Sequence, residues 1–249
     1  MAGHSKWASI KHKKKAVDAK RGALFTKLTR AITVAARDGG DPEGNPALAL
    51  AVQKARDASM PKDNIERAIA KGTGADSDAD AFESVLYEGY GPGGVAILVE
   101  ALTDNRNRTG SEVRHVFTKH GGNLGEPGSV AWTFEKKGEI VVDGSRYAED
   151  DLLAAIDAGA EDVALDGDVW EIVTGPTDVA AVRDALAAEG VEIESAELVQ
   201  RPTTRTPVDE NRVRTLMNLI EALEEHDDVQ AVHANFDVDA DVLERVAAA

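Results

Sequence analysis

The first 72 residues place apolar side chains at the three- and four-residue spacing of α-helices. The first such segment is residues 16–37, which predicts one helix with a single apolar face. Gly39 and Gly40 follow it and are expected to end it. The side chains expected on its buried face are Val17, Leu24, Leu28, Ile32 and Ala35.

Two more helices are predicted before residue 75. Asn45 followed by Pro46 is typical of a helix cap and a first helical position, and this helix is expected to end near Ala58. The third should cover residues 62–71, with Gly72 at the position of a helix-ending glycine. Residues 1–75 are therefore predicted to form a basic three-helix domain, followed by a linker.

From Phe82 onward the pattern changes to the alternation that is typical of β-strands. The predicted elements of this region are strands 83–90 and 95–102 around a glycine-rich turn, a helix 109–119, and a strand 130–134. Thr109 with Glu112 three residues later fits a capping box, which places the start of the helix there.

Residues 138–200 predict the order β-α-β-β-α-β, which is the ferredoxin-like arrangement. The expected strands are 139–142, 162–165, 170–174 and 192–199, and the expected helices are 148–158 and 177–189. A last helix, 210–225, and a last strand, 229–236, should complete the sheet that begins at Phe82.

The predicted fold class is thus α+β and multidomain, with an N-terminal three-helix domain and two α/β-sandwich domains. The predicted domains are residues 1–75, a discontinuous α+β domain of residues 82–136 and 205–249, and an inserted ferredoxin-like α+β domain of residues 137–204.

Charge is distributed very unevenly along the chain. The formal net charge of −17 would by itself disfavour a polyanionic partner. However, residues 1–74 contain 15 Lys and Arg against 7 Asp and Glu, whereas the remainder contains 13 against 38. A basic end on an acidic body predicts a nucleic-acid contact that is confined to that end.

The basic charge is densest in the first 30 residues, which hold nine Lys and Arg and one acid, Asp18. Clustered ammonium groups bind phosphate backbones by releasing condensed counterions. Trp7 adds a flat surface on which an unpaired base can stack. The candidate contacts are Lys6, Trp7, Lys11, Lys13, Lys14, Lys15, Lys20, Arg21 and Lys27. The alternative is an ordinary solvated charged face with Trp7 as a hydrophobic anchor, and the role of Arg21 stays open because it falls within the apolar arc.

A second candidate anion site lies just before the helix predicted at residue 109. Arg106 and Arg108 would place two guanidinium groups beside exposed helix amides. Arg114 and Lys119 on the same helix would extend the site. The alternative, equally weighted, is a capped loop whose arginines pair with nearby acids.

Several classes of protein are disfavoured. The chain has no cysteine, which excludes disulfides and thiolate chemistry. It has no apolar run long enough for a membrane span and no secretory signal, so a cytoplasmic protein without a membrane partner is expected. The motif from Gly89 to Gly94 matches GxGxxG but leads into a strand, so it is interpreted as a turn.

Metal and catalytic motifs fail on their context. Two runs of alternating aspartates, residues 76–80 and 237–241, lack the glycine and the glutamate that a calcium loop requires. The six histidines lack the spacing of a zinc enzyme, and no nucleophile, base and orienting group stand out. We therefore expect no enzyme activity, no metal, no cofactor and no small-molecule substrate.

Five blocks of sequence closely resemble the YebC/PmpR family. They are residues 2–15, Met60 to Ile69, Tyr87 to Gly94, Thr103 to Thr109, and Gly128 to Trp132. The resemblance implies one helical and two mixed α and β domains in a cytoplasmic bacterial protein, described as a probable transcriptional regulator. It also implies a mitochondrial relative that activates translation, and members tied to ribosomes and to relief of stalling at proline-rich sequences. Because the resemblance begins at residue 2, no mitochondrial presequence is expected.

Two partners therefore remain open, DNA and structured RNA such as the ribosome, because lysines bind both polymers. A DNA-binding transcriptional regulator would place the helical domain in a groove. A translation factor would insert its basic leader, residues 3–15, into RNA while the acidic domains face away. The charge distribution favours RNA, since a duplex would repel the acidic body, and no dimerisation element of palindromic DNA readers is found. An enzyme acting between the two α/β domains lacks any motif.

Overall fold

The computed structural model describes residues 19–75 and 82–248, which form a mixed α/β structure. Within these residues the helices are α1 (Ala19–Ala35), α2 (Pro46–Asp57), α3 (Lys62–Ala70), α4 (Arg106–Lys119), α5 (Leu153–Asp157), α6 (Val179–Ala188), α7 (Glu210–Glu225) and α8 (Ala240–Ala248). The strands are β1 (Glu83–Tyr90), β2 (Ala96–Thr103), β3 (Asn123–Leu124), β4 (Phe134–Asp143), β5 (Ala160–Asp166), β6 (Val169–Thr174), β7 (Ile193–Pro202), β8 (Thr206–Pro207), β9 (Val229–Ala234) and β10 (Phe236–Asp237). None of the described helices is long and apolar enough to cross a membrane.

Helices α1 to α3 pack around a small apolar core. The Asn45 side chain caps α2 by accepting a hydrogen bond from the Leu48 amide (3.1 Å), as the sequence predicted. The buried core residues of this unit are Leu28, Ile32, Ala36, Leu48, Val52, Ala55, Met60, Ile65 and Ala68. Leu24 was predicted to be buried, but 42% of it is exposed because it lies at the edge of this core.

The prediction that Gly72 ends the third helix is wrong. The chain continues past it in a wide helical turn, Lys71–Ala75, in which Gly74 adopts the left-handed backbone conformation (φ 88°). Gly72 is instead needed for close packing, because a Cβ there would lie 2.3 Å from the carbonyl oxygen of Thr33 on α1.

The first sheet has the strand order β3-β1-β2-β9, and all its pairs are antiparallel. Strand β9 pairs with β2, so the end of the chain completes the sheet that starts at Glu83, as predicted. Helices α4 and α7 cover one face through a core that includes Val99, Phe117 and Leu216. Helix α8 was not predicted, and it buries Leu243 in this same core.

The second sheet has the order β5-β6-β4-β7 and is also antiparallel. Its elements follow the predicted order β-α-β-β-α-β. Helices α5 and α6 pack on it through a core that includes Ile140, Ile172 and Leu186. The helix predicted at 148–158 is shorter than expected, because its first half is the 3-10 turn Glu149–Leu152.

The strand predicted at 130–134 is wrong. Residues Ala131–Thr133 form a 3-10 turn, and β4 then runs without interruption from Phe134 to Asp143. Phe134 packs against Ala96 and Leu98 on the first sheet, whereas most of β4 belongs to the second sheet. One strand therefore joins the two sheets, and the boundary predicted between residues 136 and 137 falls inside it.

Candidate nucleic-acid interface

The basic leader itself lies outside the residues that the structure describes. This applies to Lys6, Trp7, Lys11, Lys13, Lys14 and Lys15. Lys20 and Arg21 lie in the first turn of α1, and only their backbone is described. The contact predicted for these residues therefore stays a prediction.

Two cations in the C-terminal half of α1, one of them the predicted contact Lys27, face protein. Lys27 donates from Nζ to the carbonyl oxygen of Glu224 near the end of α7 (2.5 Å). Arg30 donates to the carbonyl oxygen of Asp227 (2.7 Å) and to the carboxylate of Asp228 (2.9 Å). Free carbonyls at the C-terminus of a helix favour cations. These two side chains therefore hold α1 against the first sheet and its helices.

Asp228 lies at the centre of this contact and is only 3% exposed. Besides the bond from Arg30, its carboxylate accepts hydrogen bonds from Arg108 Nη2 (3.0 Å) and from the Thr109 hydroxyl (2.6 Å). Arg108 also donates to the exposed Asp104 (2.8 Å). Of the two interpretations of the loop before α4, the structure thus favours pairing with acids for Arg108.

The start of α4 corrects the sequence prediction. The helix begins at Arg106, and its cap is the Asn105 side chain, which accepts from the Arg108 amide (3.1 Å). Thr109 is not the cap, because its hydroxyl is fully buried between Thr103 and Asp228. A buried carboxylate therefore determines the role of this threonine.

The shifted pKa values of Asp228 and Arg108 follow from these contacts. Burial by itself would raise the pKa of Asp228, but the hydrogen bonds from Thr109 and Arg108 and the charge of Arg30 outweigh it, and the pKa is lowered. The same bond, together with that to Asp104, raises the pKa of Arg108. Asp228 is thus a charged carboxylate that pairs with Arg108, one of the two arginines predicted to contact an external anion.

Other predicted cations on α4 point to solvent. Arg106, Arg114 and Lys119 are exposed. They lie on the helix that carries Arg108, so they leave a basic surface beside the pair of Arg108 and Asp228. Whether nucleic acid contacts this surface stays a prediction.

A cluster of possible metal ligands is present near Asp228. Ligand atoms of Glu112, His226 and Asp228 lie within 4.8 Å of one another. However, His226 Nδ1 accepts from the Asp228 amide (3.1 Å), and its Nε2 lies 2.9 Å from Glu112. The Asp228 carboxylate is taken up by two guanidinium groups and a hydroxyl, so the cluster is better described as a polar network than as a metal site.

A second buried carboxylate lies at the other end of β1. Glu88 is 6% exposed and accepts hydrogen bonds from the amides of Gly128 (2.6 Å), Val130 (2.7 Å) and Ala131 (2.7 Å). Burial would raise its pKa, but these amide bonds outweigh burial and lower it. The carboxylate thereby shapes the loop that leads to the exposed Trp132.

Neither Asp228 nor Glu88 was predicted from the sequence to have a structural or functional role. Asp228 contacts Arg30 across 198 positions and Arg108 across 120 positions, so no local pattern marks it. Glu88 stands in a strand between the exposed Leu86 and Tyr90, where alternation indicates a solvent-facing acid. The only signal was its position in one of the blocks that carry the family resemblance.

The fold defines a class: a mixed α/β protein in which a small helical unit, basic in sequence, is held by ion pairs against an acidic body with two antiparallel sheets. Residues 5–75 match the TACO1/YebC protein N-terminal domain, and residues 82–236 match the TACO1/YebC second and third domain. The chain therefore belongs to the TACO1/YebC family.

Relatives in this family resemble the chain over its whole length. A protein of Rubrobacter xylanophilus, named probable transcriptional regulatory protein, is 58% identical over 99% of this chain and 100% of its own. A protein of Acidothermus cellulolyticus with the same name is 55% identical over 99% of this chain and 100% of its own. The crystal structure of a conserved hypothetical protein from Aquifex aeolicus is similar with a TM-score of 0.81 at 50% identity, covering 90% of this chain and 93% of that one.

Proposed function

We propose that this protein is a non-enzymatic, cytoplasmic regulator of gene expression that binds nucleic acid through its basic N-terminal helical segment. The observation that carries the proposal is the charge distribution, 15 Lys and Arg against 7 Asp and Glu in residues 1–74, and 13 against 38 in the remainder. The relatives named probable transcriptional regulatory protein support a regulatory role.

The contacts of α1 support the leader as the binding element. Lys27 and Arg30 are directed at the end of α7 and at Asp228, so these two cations help to assemble the protein. Lys13, Lys14 and Lys15 precede that docked part of the helix in sequence. A polyanion that approaches the basic end would meet the leader together with Lys6, Lys11, Lys20 and Arg21, and Trp7 would stack on a base.

The proposed partner is DNA or structured RNA. The negative charge of the body favours RNA, which is the more specific form of the proposal. An acidic body is repelled along a DNA duplex, whereas a short basic leader can enter a folded RNA while the body stays outside it. In this form the protein is a ribosome-associated translation factor.

We also propose that the chain divides into three domains, residues 1–75, residues 82–136 with 205–249, and a ferredoxin-like insertion of residues 137–204. The pairing of β9 with β2 and the separate cores of the two sheets support this division. The continuity of β4 suggests that the boundary lies a few residues earlier, near Phe134.

The leader is tested by charge reversal. Replacing Lys13, Lys14 and Lys15 with Glu should weaken binding to ribosomal RNA fragments and reduce the salt dependence of binding, since fewer counterions are released. A matched control reverses the exposed Arg56, Lys62 and Arg67 of the helical unit, which changes the net charge equally. An equal loss in both variants, or no loss in the leader variant, would contradict a leader-specific contact.

The partner is tested by sedimentation of the native protein with cell lysate through a sucrose gradient, with and without RNase. Co-migration with ribosomal particles that RNase abolishes would support the translation factor. Protein that stays at the top of the gradient, together with recovery of discrete promoter fragments by chromatin-type pulldown, would support the DNA-binding regulator.

A further inference from the structure

Trp132 is an unusually exposed aromatic residue. It is 74% exposed, more than any other large hydrophobic side chain in the described part of the protein. A contiguous exposed apolar patch on a folded protein often marks a contact site. Tyr90, which is 40% exposed, lies beside it at the end of β1.

One backbone carbonyl holds both aromatic side chains. Trp132 Nε1 donates to the carbonyl oxygen of Ser129 (3.1 Å), and the Tyr90 hydroxyl donates to the same oxygen (2.9 Å). The polar group of each ring is therefore engaged within the protein.

The loop that carries Trp132 is held in place by a buried charge. The Glu88 carboxylate accepts three amide hydrogen bonds from it, and Gly128 adopts the left-handed conformation (φ 88°) that the loop requires. Val130 packs beneath the loop against Ala96 and Leu98 of the sheet. An aromatic side chain on such a support is preorganised, which reduces the entropy lost on binding.

We propose that Trp132 and Tyr90 form a platform on which an unpaired nucleobase stacks. This inference rests on the nucleic-acid binding proposed above and adds a local contact between the body and an unpaired strand outside the folded RNA. Every base presents a π-face, so stacking would bind single strands without regard to sequence. A fully paired duplex offers no free base and would not use the platform.

The local chemistry favours a base over a peptide. The indole N–H is already donated to Ser129, so it has no free donor for a peptide carbonyl, whereas a stacked base needs only the ring face.

The platform is separate from the contact between α1 and Asp228. The Asp228 network, where α1 docks, contacts the Thr103 end of β2, which pairs with Glu83 at the opposite end of β1 from Tyr90. At about 3.4 Å per residue, the eight residues of β1 span about 24 Å.

The test measures binding of the full chain to two probes by fluorescence anisotropy, a single-stranded oligoadenylate of about ten nucleotides and an RNA duplex of the same sequence length. Trp132→Ala should weaken binding of the single strand about tenfold and leave duplex binding unchanged. Trp132→Phe should restore most of the affinity, because the phenyl ring still stacks. The salt dependence should stay the same in both variants, since no cation is removed.

A matched control and three outcomes make the test decisive. Leu165→Ala removes another exposed hydrophobic side chain, 53% exposed on β5, and should bind like the wild type. If Trp132→Ala binds the single strand as tightly as the wild type, while Lys13, Lys14 and Lys15→Glu binds weakly, the platform is wrong and the proposed function stands. If the wild type binds neither probe, the platform is wrong, and the proposed function also fails if duplex DNA is not bound either. Equal loss on single strand and duplex would also overturn the base-stacking role.

Discussion

The two ends of the first sheet each bury one carboxylate, and they use it differently. At one end, Asp228 accepts hydrogen bonds from the side chains of Arg30, Arg108 and Thr109, which come from two helices. At the other end, Glu88 accepts only from backbone amides of one loop. Both carboxyl groups have a lowered pKa, because in each case the hydrogen bonds outweigh the cost of burial.

The difference shows what each carboxylate stabilises. The Asp228 network joins segments that are far apart in the chain and holds the helical unit on the body. The Glu88 network fixes the shape of one loop and requires no particular side chain from it, except glycine at Gly128. Removing either charge should therefore have distinct consequences, one for assembly of the units and one for local structure.

The largest effect is expected for Asp228→Ala. Arg30, Arg108 and Thr109 would lose hydrogen bonds to a buried charged acceptor, whereas both guanidinium groups stay partly exposed to water, so we expect the free energy of unfolding to fall by about 3 kcal/mol. Urea denaturation measures this change. Asp104→Ala is the control, because Asp104 also pairs with Arg108 but its side chain is 46% exposed, and it should behave nearly as the wild type. Equal losses in the two variants would show that burial of the pair is unimportant.

A smaller and more local effect is expected for Glu88→Gln. The amide keeps the shape but must turn its NH₂ group toward at least one backbone N–H, so a loss of about 2 kcal/mol is expected. Hydrogen exchange at the amides of Gly128, Val130 and Ala131 should accelerate. Glu126→Gln, an exposed change in the same loop, serves as the control. Unchanged exchange at these three amides would contradict the role of the carboxylate.

The smallest effect is expected for Gly128→Ala. A Cβ there would meet no atom within 4 Å, so only the positive φ is strained, at a cost of about 1 kcal/mol. Gly22→Ala in α1 also meets nothing within 4 Å but has no positive φ, and it should stabilise the protein by up to about 1 kcal/mol. Thermal unfolding of both variants measures this difference. If Gly128→Ala loses no stability, the loop relaxes freely to accept the side chain.

Elements with a strong local pattern were predicted closely. Strand β1 and helix α7 have the bounds that alternation and helical spacing indicated, 83–90 and 210–225. The start of α4 was missed by three residues, because both Asn105 and Thr109 are residues that can cap a helix. Which of the two caps the helix depends on Asp228, which accepts a hydrogen bond from the Thr109 hydroxyl across 119 positions.

Weak or irregular patterns failed for a different reason. Residues 131–133 have the composition of a strand, yet the amides at this turn are drawn to Glu88, so a 3-10 turn forms there. Helix α8 is short and begins among aspartates that resemble a loop, but Leu243 is fully buried in the core of the first sheet unit. Tertiary packing determined both segments.

The sequence by itself determined most of the local elements, the order of the second sheet's strands and helices, and the contrast between a basic end and an acidic body. Only the tertiary structure decided that Arg108 pairs with Asp228, that Lys27 and Arg30 face protein, and that Trp132 is presented to solvent. The physical reason is range. Spacing and caps act within a few residues, whereas a buried charge is stabilised only when folding brings its partners together from distant parts of the chain.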